Sequence, residues 1–204
     1  MRTILFLVVT LQFSCQAPQS NESYTQQDSL LMNVFKPWDG RWKGKFYVYS
    51  DSFGQTNLNN KPAHLNIQTL DSMSLSQDLV IEVEQYYQSQ NPFFQSVTIK
   101  DTYPGTGGEQ RVEESKGYNQ VKDGKISCMV NKPNEEVIHI GEKINSATLI
   151  WQRSLNDPLK KEYFREYIEN DKYIIIGWGY YGADDTTRNP RTWFYGEYLR
   201  VNDD

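Results

Sequence analysis

The side chains that could do acid–base, nucleophilic or metal chemistry in this sequence are few, and their settings matter more than their number. Catalysis needs groups of matched pKa held together. The only two histidines, His64 and His139, stand on separate candidate strands. His64 shares a face with Asn66 and Gln68, opposite Leu65 and Ile67, so it is expected to face solvent. His139 sits between Ile138 and Ile140 and reads as a wall histidine before it reads as a ligand. Cys128, in ISCMV, alternates with apolar neighbours and reads as a buried thiol. Gly105-Thr106-Gly107-Gly108 follows a proline and leads into no helix, so it makes a poor phosphate cradle. Asp184-Asp185-Thr186-Thr187 reads as a solvated turn rather than a metal loop. Gly-x-Ser-x-Gly, Cys-x-x-Cys and His-Glu-x-x-His do not occur. On these grounds no catalytic residue, metal or cofactor is assigned.

What the sequence has in excess is rings: fourteen tyrosines, nine phenylalanines and five tryptophans. Several cluster near a charge. In EYFREYIE, Tyr163, Arg165 and Tyr167 share one face, with Phe164, Glu166 and Ile168 on the other. Trp178 and Tyr180 lie opposite Gly177 and Gly179, and a strand glycine pair suggests a close approach. Phe194, Tyr198 and Arg200 share a face near the C-terminus, as do Trp42, Phe46 and Val48 near the start. An aromatic pocket with one or two polar anchors suits a small apolar ligand with a polar end. The candidate ligand-binding wall is therefore Phe46, Val48, Tyr163, Arg165, Tyr167, Trp178, Tyr180, Phe194 and Tyr198. Arg165 is its expected anchor, since a guanidinium holds a carboxylate bidentately. The alternative is that these rings simply fill the interior.

The elements that must position these residues alternate with period two from Gly40 onward. Candidate strands follow Trp42–Val48 at Ala63–Thr69, Leu79–Tyr87, Phe93–Tyr103, Gln110–Tyr118, Lys125–Val130 and Glu136–Ile140. Four more are expected at Ala147–Ser154, Leu159–Glu169, Tyr173–Tyr181 and Thr192–Val201. Asp123-Gly124, Lys132-Pro133-Asn134, Asn156-Asp157-Pro158 and Asn170-Asp171 punctuate them as short turns. Such turns leave no room for crossover helices. The expectation is an all-β, antiparallel up-and-down barrel of about 8–11 strands, with a two-sheet sandwich as the alternative. Leu30, Leu31, Val34 and Phe35, stopped by Pro37, predict a short N-terminal helix or turn leading into the first strand.

A net charge of −5 argues against nucleic acid as a partner, and two cysteines exclude a disulfide scaffold. Residues 1–14 join Arg2 to an apolar run from Ile4 to Phe13, which is too short to span a bilayer and fits a signal peptide. The run Leu11-Gln12-Phe13-Ser14-Cys15 resembles the lipobox of bacterial lipoproteins, though Gln12 stands where that pattern has leucine. The resemblance implies lipidation at Cys15, export, and membrane attachment at the outer membrane or cell surface, with the periplasmic side possible. Residues 15–28 are polar and read as a flexible tether, leaving 29–202 as the barrel domain.

The corner VFKPWDGRW resembles the first conserved region of lipocalins and related calycins: a short helical turn, then Gly-x-Trp entering the first strand. Gly40 and Trp42 match that pair. The resemblance implies that Trp42 plugs the closed end of the barrel and that Arg200, on the last strand, lies across it. It also implies a lipid-anchored barrel that binds a small hydrophobic or amphipathic molecule. Two other functions fit the same scaffold. One is a calycin-type enzyme, such as an isomerase or chromophore lyase, using Glu166, Arg165 or His139 as acid–base groups. The other is a structural or interaction lipoprotein with a filled barrel.

Overall fold

Alternation of apolar and polar residues makes strands that must bury one face, and tight turns force each strand to pair with the one before it. The computed structural model describes residues 23–52, 66–105 and 108–202. Residues 1–14, Cys15 and His64 lie outside the described residues. Among the described residues ten strands form a meander: β1 (Gly40–Ser50), β2 (Ser76–Asn91), β3 (Phe94–Pro104), β4 (Gln110–Lys122) and β5 (Lys125–Lys132), then β6 (Glu135–Asn145), β7 (Thr148–Asn156), β8 (Leu159–Glu169), β9 (Lys172–Tyr181) and β10 (Thr192–Val201). Every sequential pair is antiparallel, and β10 closes back onto β1, giving a closed barrel. The turn residues explain the tightness. Asn170 and Asp171 both have positive φ (50° and 60°), as do Asp123 and Gly124 (53° and 70°). That backbone twist matches the strands it joins.

The helices are short. Helix α1 is Gln26–Ser29, capped by Thr25, and a 3-10 turn spans Lys36–Trp38; residues 30–35 between them form turns, in keeping with the expected helix or turn. The expected tether therefore ends earlier than Asp28. Tyr24 stacks on Phe93 with centroids 4.0 Å apart, and the Asp28 carboxylate accepts the Gly124 N–H at 2.8 Å. Where Ala63–Thr69 was expected as a strand, the described part enters α2 (Ile67–Asp71). Ile67 and Leu70 are three apart, on one face of that helix. With Met73 and Leu75 they cover Tyr167, Ile174, Ile176, Trp193 and Tyr195 on the outside of the barrel.

That outer cover makes both faces of β8, β9 and β10 apolar, so hydrophobicity alone no longer tells inside from outside there. Register shows which face is inward, since paired residues project to the same side of a sheet. One ring runs Trp42, Gln85, Ile99 and Ser115 through β1 to β4. Another runs Cys128, His139 and, one pair on, Gly141, Trp151, Phe164 and Gly177. Phe194 and Val48 complete the closure. The main core is this inner set at one end of the barrel, with Val34, Phe35 and Trp38 packed beneath it.

Candidate functional site

The entry corner closes one end. Trp42 is 1% exposed and donates its indole N–H to the Trp38 carbonyl at 2.7 Å. The Arg200 guanidinium lies over its ring at 4.1 Å. Arg200 also donates to the carbonyls of Asp39 and, at 3.1 Å, Pro37. The cation thus stacks on the indole face while satisfying backbone acceptors of the 3-10 turn. Gly40 is needed there twice over: its φ is +113°, and a Cβ would sit 2.7 Å from the Arg200 guanidinium. Tyr173, fully buried, meets Trp42 edge-on at 5.5 Å and Tyr198 at 5.2 Å.

Above this plug the barrel is not filled. A cavity of about 200 Å³ lies inside it, walled by Phe46, Val97, Ile99, Val130, Val137, Trp151, Phe164 and Ile175. Its polar lining is Gln85, Tyr87, Asn119, Cys128 and Glu166, with Lys132 and His139 toward the end away from the plug. Glu166 retains some accessible surface although protein surrounds it, because that surface faces the cavity. Burial pushes its carboxyl up to about 7, against the pull of the Trp151 indole and the Tyr173 hydroxyl. No cation is among the described groups that act on it. Burial, and then the nearby Glu166, push the Cys128 thiol up, which leaves it protonated and a poor nucleophile. The Tyr87 and Tyr173 hydroxyls stand 3.3 Å apart, and Tyr87 donates to Gln85 at 2.6 Å. Burial raises both phenols well above their ordinary range.

The mouth is charged. His139 contacts Glu162 at 3.1 Å, and the Tyr181 hydroxyl donates to the same carboxylate at 2.7 Å. Arg153, with its side chain 6% exposed, bonds Glu135 at 2.5 Å and lies 3.7 Å from Glu162. Lys160 reaches Glu135 from the other side at 2.5 Å. Burial works to raise the Glu162 carboxyl, but bonds from His139 and Tyr181 and the charge of Arg153 overcome it and hold it low. Lys160 and then Arg153 hold Glu135 down to about 2.

The structure splits the expected ligand-binding wall. Phe46 lines the cavity. Val48 and Phe194 are paired and inward, toward the mouth, where Phe194 lies between Phe46 (5.7 Å) and Phe164 (5.3 Å). Tyr198 is inward but belongs to the plug. The other five project from the outer surface. Arg165 turns away from the cavity, with its guanidinium 4.1 Å over the Tyr167 ring. Tyr163 packs on Trp178 at 4.3 Å, and the Tyr180 hydroxyl donates to the Arg188 carbonyl at 2.5 Å. Arg165 therefore cannot anchor a ligand inside the barrel, and the neighbouring Glu166 holds the interior position. The misplacement has a physical cause: burial of Trp178 and Tyr167 implies an inward position only where the outside is bare, and α2 and the residues after it bury the outside as well. The signal that could have decided it is the glycine pair. Gly177 and Gly179 are inward; an added Cβ would strike the Tyr163 carbonyl and, at 2.8 Å, the Phe164 ring at the first, and the Tyr181 ring at 2.7 Å at the second. What approaches these glycines is the barrel's own backbone and rings. Sequence reasoning also missed Gln85 and Asn119 as lining residues, because a polar residue at an inward position breaks the alternation that marks that face, and Trp151, because Leu149-Ile150-Trp151 is apolar on both faces.

Together these features define a closed ten-stranded antiparallel barrel, plugged at one end and hollow in the middle. No family model matches the chain, and no curated protein is similar to it in sequence. Among solved structures it is similar to the crystal structure of Rv2717c from M. tuberculosis, at a TM-score of 0.51 and 11% identity. That alignment covers 88% of this chain and 100% of the other, and the likeness is one of fold. A redesigned β-barrel also aligns, over 84% of this chain and 98% of its own, at 10% identity and a TM-score of 0.36, which is too loose to bear on the fold.

Proposed function

We propose that this protein is a lipocalin-like, calycin-type barrel that binds a small hydrophobic or amphipathic molecule in its interior. The observation that carries the reading is the cavity: about 200 Å³ of space, mostly apolar walls, and a few converging polar groups. For scale, an engineered apolar cavity of about 150 Å³ accepts a benzene. A compact ring or short branched chain fits this volume better than a long acyl chain or haem. The Gly40–Trp42–Arg200 corner supports the lipocalin-like reading, since it carries the stacking that the family resemblance implies. The reading also includes export and tethering through a lipidated Cys15, on the strength of the apolar run and the residues around that cysteine.

Titration with ethylbenzene, a saturated fatty acid and haem, followed by the fluorescence of Trp151 in the cavity wall, tests the binding reading. Saturable quenching by ethylbenzene is expected, together with its loss in Cys128→Phe, which fills the space. No saturable response to any of the three would sink it. The tether is tested separately: Cys15→Ser should move the protein from the membrane to the soluble fraction, and identical fractionation would overturn it.

An enzymatic reading is favoured by one observation, the Glu166 carboxyl pushed up to about 7 inside the cavity. Such a group can both give and take a proton near neutral pH. Chemical change in a bound probe, lost in Glu166→Gln, would support it.

A further inference from the structure

The polar groups of the cavity are biased in kind. Glu166 is a carboxyl in a mostly apolar wall, reached by the Trp151 indole and the Tyr173 hydroxyl, and no cation is among the described groups acting on it. A carboxylate in such a site stays costly unless a positive group joins those two donors. Asn119, in the same wall, offers a second acceptor, and its orientation is fixed by a chain of bonds that starts outside the cavity. The Gln95 amide nitrogen donates to the Phe35 carbonyl and to the Asp39 carboxylate, each at 2.9 Å. This leaves the Gln95 oxygen to accept from the Asn119 nitrogen at 2.8 Å. The Asn119 amide therefore cannot be reversed, and its Oδ1 is buried with no partner. Asn119 itself is 6% exposed. A buried acceptor without a donor is a standing cost, which a ligand donor relieves once a small shift of the side chains over Oδ1 uncovers it to the cavity.

The cations nearest the cavity do not serve these acceptors. Lys132 is at the mouth end of β5, and Arg153 is committed to Glu135 and Glu162. Beside Glu166, deep in the cavity, no described cation is placed to receive an anionic ligand end.

We propose that the cavity selects a small apolar molecule bearing a protonated amine, whose ammonium donates to Glu166 and Asn119 while its body lies against Phe46, Ile99, Trp151 and Phe164. This rests on the cavity-binding reading and names the ligand class for it. The ammonium supplies the missing charge and several donors at once, and nearby aromatic faces favour a cation further. Fatty acids and other carboxylates are the wrong class, because their head group meets an uncompensated carboxyl.

Three probes of nearly equal size separate the possibilities: phenethylamine, phenylacetate and ethylbenzene, titrated by calorimetry at about pH 8, where carboxyl and ammonium are mainly charged. Phenethylamine is expected to bind at least tenfold more tightly than ethylbenzene, and phenylacetate more weakly than either. Glu166→Gln should remove most of the amine's advantage and leave ethylbenzene unchanged. Asn119→Leu should weaken amine binding by a smaller factor, and its thermal unfolding should be compared with wild type. If ethylbenzene binds but the amine gains nothing, or if Glu166→Gln leaves the amine's affinity intact, the amine class is wrong while the cavity reading stands. If none of the three binds, the cavity reading itself fails.

Discussion

The two ends of the barrel are built on the same ten strands, yet they solve the problem of closure in opposite ways. At the plug, inward positions are rings: Trp42, Tyr173 and Tyr198 are almost wholly buried. The cation stacked there, Arg200, uses backbone carbonyls as its hydrogen-bond partners. At the mouth, inward positions carry Lys132, and Arg153, Glu162 and Tyr181 are linked there with Glu135, His139 and Lys160. A single strand shows the gradient. Along β8 the inward face reads Glu162, Phe164, Glu166, Ile168 from mouth to plug. Apolar burial, which needs no partner, seals the dry end; ion pairs that tolerate water line the wet end. Glu166 is the exception, a charge-capable group placed where the surroundings are dry.

The contrast makes unequal predictions. The largest effect belongs to the plug: Trp42→Ala should cost about 3–5 kcal/mol in denaturant unfolding. Arg200→Ala should cost less, and a double-mutant cycle should show the two losses to be non-additive, since the groups touch. Additive losses would mean that the stack contributes nothing to closure.

Next comes Glu166, where the sign is unusual for a carboxyl. Its folded-state value, about 7, lies above its ordinary value of 4.5. Folding therefore favours the protonated form, and stability is fully present below about pH 4.5 and drains away as pH rises through 7. Tyr87, Tyr173 and Tyr198, with Cys128, face it from the other strands, and their raised values keep them neutral over that window. Glu166→Gln should accordingly raise stability at about pH 8 by roughly 1–3 kcal/mol, and change it little at about pH 4. Thermal unfolding at the two pH values checks this.

The mouth should respond less, with one exception. Arg153 is buried between Glu135 and Glu162, so Arg153→Ala removes the cation both carboxylates face and should cost about 1–3 kcal/mol. Lys160→Ala, on a half-exposed pair, should cost less, about 1 kcal/mol. Glu135 has the opposite pH sign to Glu166. Its value is depressed to about 2, so its contribution is present above about pH 4.5 and is lost as pH falls toward 2. A wild-type stability profile that loses ground on both sides, with only the alkaline loss removed by Glu166→Gln, would confirm the contrast between cavity and mouth.

Local sequence determined the strands, their turns and the corner. Period-two alternation finds β2 to β10, because it reflects burial of one face and needs no knowledge of the partner, but it stops well short of the ends of β2 at Asn91 and β6 at Asn145. Gly40-x-Trp42 and the terminal Arg200 could be picked out for the same reason: each residue's type suits one particular place. Tertiary structure decided which face of β8 and β9 looks inward. Alternation fixes that two faces differ, but with α2 and the residues after it packed on the outer face, both faces are buried. Only the register of Phe164 against Trp151 and Gly177 resolves it. That one choice sends Arg165 to the surface and Glu166 into the cavity, and so reverses the charge of the site.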